Sequence, residues 1–99
     1  MMLKKSYTKT GRICRVTFRL PAEAEAQTAA LCGDFNEWDP AANPMKKLKD
    51  GSFSTTVSLE PEQSYRFRYW LDDGRWENDW QADAYLPNEF GSEDSIVKI

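Results

Sequence analysis

Ninety-nine residues, 40% hydrophobic and 29% charged, are enough for one globular domain with its own core. The chain has no histidine, which removes the commonest metal ligand and the commonest general base together. A net charge of −3 from 16 acidic and 13 basic residues leaves no basic footprint for nucleic acid or anionic lipid, and no apolar run nears the roughly 18–20 residues that span a bilayer.

Residues 1–12 carry Lys4, Lys5, Lys9 and Arg12 with no apolar stretch behind them, so they are not expected to act as a secretory leader. A cytoplasmic protein is expected, with a flexible segment over residues 1–11 ahead of one domain over 12–99. From Arg12 the chain alternates, with Cys14, Val16, Phe18 and Leu20 on one face and Arg15, Thr17 and Arg19 on the other. This period of two marks a half-buried strand. Pro21 ends it, and residues 22–27 form a polar connection able to carry a short helical turn. Residues 28–33 are a second apolar run, with Ala29 and Leu31 inward. Residues 34–40 are dense in Asp, Asn and Pro and predict a structured loop.

Asp50-Gly51 is a tight-turn pair, after which Phe53, Thr55, Val57 and Leu59 alternate inward. Residues 64–71 give the clearest strand: Tyr65, Phe67, Tyr69 and Leu71 share one face, and Arg66, Arg68 and Trp70 the other. A hairpin turn at Asp72-Asp73-Gly74 leads to Trp76. Residues 79–94 read as loop, and residues 95–99 as a closing strand. Cys14 and Cys32 both fall in strands, and a single pair is too few for a disulfide framework, so buried reduced thiols are expected. About six short strands without a convincing helix predict an antiparallel sandwich or barrel.

Aromatic residues make up 13% of the chain, with 4 Trp among them, more than so small a core can hide. Gly33-Asp34-Phe35-Asn36-Glu37-Trp38, Pro44-Met45, the aromatic-basic strand, Asp73-Gly74-Arg75-Trp76, Asn78-Asp79 and Phe90-Gly91 together resemble carbohydrate-binding module family 48. Its members are early-set domains found ahead of isoamylases and glucan branching enzymes, and as the glycogen-binding domain of AMP-activated protein kinase β subunits. The resemblance runs from about residue 12 to residue 99.

It implies an all-β, immunoglobulin-like (early-set) antiparallel β-sandwich that binds α-1,4-linked glucan without catalysis or cofactor. By the same resemblance, Trp38 and Trp76 stack on sugar rings, Arg68 takes the place of a lysine that bonds hydroxyls, and Phe90, Ser92 and Asp94 match a leucine, a threonine and an asparagine at the sugar. Asp72-Asp73 makes the hairpin one residue longer than in the kinase-type domains. Arginine offers a planar fork in place of a point charge, and an ionised aspartate loses the amide donors of asparagine. The implied partners are an α-glucan polysaccharide or maltooligosaccharide and a glucan-metabolising enzyme.

A pyranose has an apolar C–H face and a rim of hydroxyls, so a binder needs flat aromatic surface flanked by polar groups. Covering about 80 Å² of indole is worth ~2 kcal/mol. Two such platforms and a few hydrogen bonds, less the cost of ordering a flexible polymer, predict affinity near ~0.1–1 mM. Two uncovered, roughly coplanar indoles are the expected geometry.

Each residue also has a plainer reading. Trp38 or Trp76 alone serves equally to cap a sandwich, Arg68 to carry a solvated strand charge, and Trp80 to anchor a loop. Trp70 shares the outward face with Arg66 and Arg68 and extends the platform or merely supports it. The alternative function is an early-set interaction module that docks on or regulates a glucan-active enzyme without binding sugar, since exposed tryptophan also suits interface hot spots. Glycoside hydrolysis needs two carboxyl groups roughly 5–9 Å apart across a cleft, and the acids here sit in turns. No Asp-x-Asp-x-Asp-Gly spacing supports a calcium loop. The lysines at 46, 47 and 49 read as a solvated run.

Overall fold

The computed structural model describes residues 3–99. Among them the strands are β1 (Lys4–Tyr7), β2 (Cys14–Leu20), β3 (Ala29–Gly33), β4 (Lys46–Lys47), β5 (Phe53–Leu59), β6 (Ser64–Leu71), β7 (Arg75–Glu77), β8 (Ala84–Pro87) and β9 (Glu93–Lys98), with a 3-10 turn at Ala22–Ala24. One antiparallel sheet has the order β1-β2-β5-β4 and the other β3-β6-β9-β8, with β7 also paired to β6. None of the described residues forms a helix long and apolar enough to cross a membrane.

The alternation along β2 and β6 builds the core between the sheets. Cys14, Val16, Phe18 and Leu20 are fully buried, as are Leu31, Phe67, Tyr69 and Leu71 from the facing sheet. Phe18 meets Phe67 edge to face at 4.9 Å, the geometry favoured by the ring quadrupoles. Each such side chain adds about 1.5–3 kcal/mol on burial. Tyr69 needs a partner for its buried hydroxyl, which donates to Asp79 Oδ2 at 2.6 Å. Burial pushes the pKa of this carboxyl above its usual value, and burial followed by the Asp79 charge does the same to the Tyr69 hydroxyl. Both cysteines are free and buried.

Part of the segment ahead of residue 12 forms a strand. Met1 and Met2 lie outside the described residues, but Lys4–Tyr7 pairs with β2, Lys5 opposite Val16 and Tyr7 opposite Cys14. Three of its four residues are exposed, so the strand has no apolar period and is defined by the edge that β2 offers. Asp83 ties it across the sandwich, because Oδ2 accepts both Lys5 Nζ and the backbone N of Lys98 at 2.7 Å. The stretch read as loop over 79–94 likewise contains β8, which pairs with β9 through Tyr85 opposite Ser95, and β9 begins at Glu93.

Every residue of β3 is buried. The outer edge of this strand is occupied by residues 43–45: Leu31 N donates to Asn43 O and Met45 N to Ala29 O, both at 2.9 Å. Covering the edge in this way removes a site for unwanted strand pairing, and it anchors the far end of the loop that carries Trp38.

Candidate functional site

Gly33 ends β3 where no side chain fits, since a Cβ there would lie 2.6 Å from Arg66 O and 2.8 Å from the Phe35 ring. The chain then turns back on its own polar side chains. Asn36 Oδ1 accepts from Gly33 N at 3.0 Å, and Nδ2 donates to Leu31 O and Asn43 Oδ1. Gly33 O accepts from both Asn36 N and Trp38 N. Asp34 holds the loop to the sheet, accepting Arg66 N at Oδ2 and the Trp38 indole N–H at Oδ1. Within this frame Glu37 and Trp38 adopt left-handed φ of 56° and 58°, a conformation that costs non-glycine residues of order 1–3 kcal/mol. The loop therefore spends free energy to set Trp38 in one place.

The second aromatic comes from the β6–β7 hairpin. Asp72 and Asp73 take φ of 52° and 55°, as a turn matched to strand twist requires, and Gly74 N closes it on Leu71 O at 3.1 Å. Asp72 Oδ1 also accepts Gln27 N and Thr28 N, and these bonds hold its pKa below the usual carboxylate value. The resulting register sets Trp76 directly opposite Trp70, their rings 4.6 Å apart and inclined at 57°. Trp38 also meets Trp76, at 6.2 Å and 73°, and the Arg68 guanidinium lies 5.6 Å over the Trp76 ring. Among the described residues Arg68 Nε is buried without a hydrogen-bond partner.

The indoles are thus not coplanar, which corrects the flat platform expected. Trp76 is 39% exposed, while Trp38 and Trp70 are half-buried. Trp38, Arg68, Trp76, Phe90 and Asp94 line one groove of about 550 Å³. Phe90 lines the same groove from the loop after β8 and is 82% exposed. Ser92 and Trp70 do not line it. Ser92 is exposed on the same loop as Phe90, and Trp70 buttresses Trp76 and faces a smaller hollow beside Pro40 and Pro44. Trp80 is 49% exposed, its indole donating to Glu77 Oε2 at 3.0 Å.

Asp94, expected as a sugar contact, lies at the groove with both carboxylate oxygens already engaged. It is 7% exposed, and its oxygens are engaged by Arg66 Nη1 and Asn88 Nδ2, each at 3.1 Å. Asp34, Arg66 and Asn88 also line the groove and were not among the expected site residues. Arg66 was legible by its alternation with Arg68, whereas Asn88 lies in a turn with no local signal beyond its neighbouring proline. The walls combine indole and phenyl surface with two guanidinium groups and carboxylates, an apolar floor with donors and acceptors around it.

The chain matches the family model of carbohydrate-binding module 48 (isoamylase N-terminal domain) over residues 6–86. It is also 38% identical over 66 residues to the 1,4-alpha-glucan branching enzyme GlgB of Aquifex aeolicus (strain VF5). That match covers 66% of this chain and 10% of the enzyme, so the chain spans about a tenth of the relative's length.

Proposed function

The chain belongs to the carbohydrate-binding module 48 family, with its early-set β-sandwich fold, and from that premise we propose that its groove binds α-1,4-linked glucan of the glycogen or starch type without catalysis. The observation that carries the reading is the partly exposed Trp76, flanked by Trp38 and beneath the Arg68 guanidinium. An α-1,4-linked chain curls, so successive rings present their apolar faces in different directions, and indoles inclined at 73° suit it better than a flat ribbon. Trp38, Trp76 and Phe90 supply the apolar contact, and Arg68 donates to hydroxyls. Ser92 acts from the rim of the Phe90 loop, and Asp94 works by holding its neighbours. In a longer enzyme, such a module keeps a glucan-metabolising active site near its polymer, where many weak sites on one chain raise the effective concentration.

The test is a tryptophan-emission titration with maltoheptaose beside cellohexaose. Saturable change with the first alone, abolished in Trp76→Ala, is expected; equal response to both, or none, overturns the reading. A second reading, a docking module that binds no sugar, draws on Tyr85 and Leu86, which are 39% and 45% exposed on β8 at the margin of its sheet. Retention on a glucan-active enzyme with no retention on amylose would favour it.

A further inference from the structure

Phe90 is the most exposed large apolar side chain of the described residues, at 82%, and a ring so uncovered has little packing to fix where it points. Its backbone, however, is tightly held. Asn88 Oδ1 accepts from Phe90 N at 3.0 Å and from Ser92 N at 3.1 Å, while Asn88 N donates to Ser92 O at 2.9 Å. Gly91 completes the turn with φ of 79°. The amide of Asn88 then reaches the other way, donating from Nδ2 to Asp94 Oδ1 on β9. The second oxygen of Asp94 takes Arg66 Nη1 from β6, which also donates to Pro87 O at 3.2 Å.

We infer that Asn88 is a positioning residue for saccharide binding: it clamps the turn that presents Phe90 and, through Asp94, fixes that turn to the strand bearing Arg66 and Arg68. The inference rests on the glucan reading above and deepens it, because it states how one wall of the groove is held at a set distance from the indole wall. Its nearest substitutes do not do both tasks. Alanine loses every bond, serine is too short to reach Asp94, and aspartate keeps the two backbone acceptor bonds but turns a second carboxylate toward Asp94, where like charges repel.

The experiment is calorimetric titration with maltoheptaose of the wild type, F90A, N88A, the N88A/F90A double variant, N88D, N88D/D94N and W76A, with an unfolding midpoint for each. Loss of Phe90 is expected to weaken binding about tenfold, on the order of 1.4 kcal/mol. N88A weakens it about fivefold if the turn then spends roughly a fifth of its time in the competent arrangement. In the double variant binding equals that of F90A alone, because a positioning residue has no effect once the residue it positions is gone.

N88D binds as weakly as N88A, and N88D/D94N recovers affinity, because the amide at position 94 then donates to the carboxylate at position 88 while its carbonyl still accepts from Arg66. Wild-type affinity in N88A, losses that multiply in the double variant, or no recovery on exchanging the pair would each overturn the inference. If W76A also binds as well as the wild type, the glucan reading fails with it. If W76A loses binding while N88A keeps it, only the role of Asn88 falls.

Discussion

The indole of Trp38 stands edge to face against that of Trp76, ring centroids 6.2 Å apart and planes at 73°. Trp76 is also in contact with Trp70 and with the Arg68 guanidinium, so it is the hub of the cluster. Trp76→Ala is therefore expected to remove about 2 kcal/mol of saccharide contact, roughly thirtyfold in Kd, and Trp38→Ala clearly less. Fluorescence titration with maltoheptaose checks this, and a larger loss in the Trp38 variant would contradict it.

Gly33→Ala forces a methyl group into a space bounded by backbone, with Arg66 O only 2.6 Å away. Overpacking against atoms that cannot swing aside costs about 1–3 kcal/mol. For a domain of this size each kcal/mol lowers the unfolding midpoint by roughly 4–8 °C. Since the same glycine starts the Trp38 loop, the variant is also expected to bind glucan more weakly at temperatures where it remains folded. An unchanged thermal midpoint would show that the strand end relaxes freely.

Burial raises the pKa of Asp79 above its usual 3.8, so folding favours the protonated carboxyl. Its contribution to stability is complete below about pH 3.8 and is lost as pH rises through the folded value. Asp72 and Asp50 have lowered pKa values and act in the opposite sense, contributing above 3.8 and losing that contribution on acidification. The comparison of wild type with Asp79→Asn isolates the first effect. The midpoint of the wild type relative to the variant is expected to fall as pH is raised from 3.8, and a pH-independent difference would exclude the assignment.

The Cys32 thiol, buried and beside the Asp39 charge, is pushed up to about 11, leaving about one molecule in a thousand as thiolate at pH 8. With Cys14 also free and buried, neither thiol is expected to react with an aromatic disulfide reagent in the native protein, and both react in denaturant. Prompt native reaction of either would mean that the sandwich opens locally.

The strands that cross the core were legible because their own side chains alternate: Val16, Phe18, Phe67 and Tyr69 announce the buried face without help from any neighbour. The marginal strands were not. Lys46–Lys47 and Ala84–Pro87 carry no period and exist as strands through the partners they find, Ser54 and Phe53 in one case and residues 93–96 in the other. The same division holds at the groove. Trp38, Trp76 and Arg68 were identifiable from motif and alternation, whereas the inclination of the rings depends on cross-strand register and on left-handed backbone at Trp38. The commitment of Asp94 to Arg66 and Asn88 joins residues distant in the chain, and no local pattern encodes such a junction.

Strand β1 covers the margin of β2 by pairing with the backbone donors and acceptors that face away from β5. A shortened chain starting at Arg12 would lose that cover and the Lys5 tether to Asp83 together. What remained would present a row of unpaired amides and carbonyls along β2, a template for sticking to its own kind. The modest, largely solvated first strand thus moves the open edge of its sheet from the apolar-patterned β2 onto a short polar strand with two lysines.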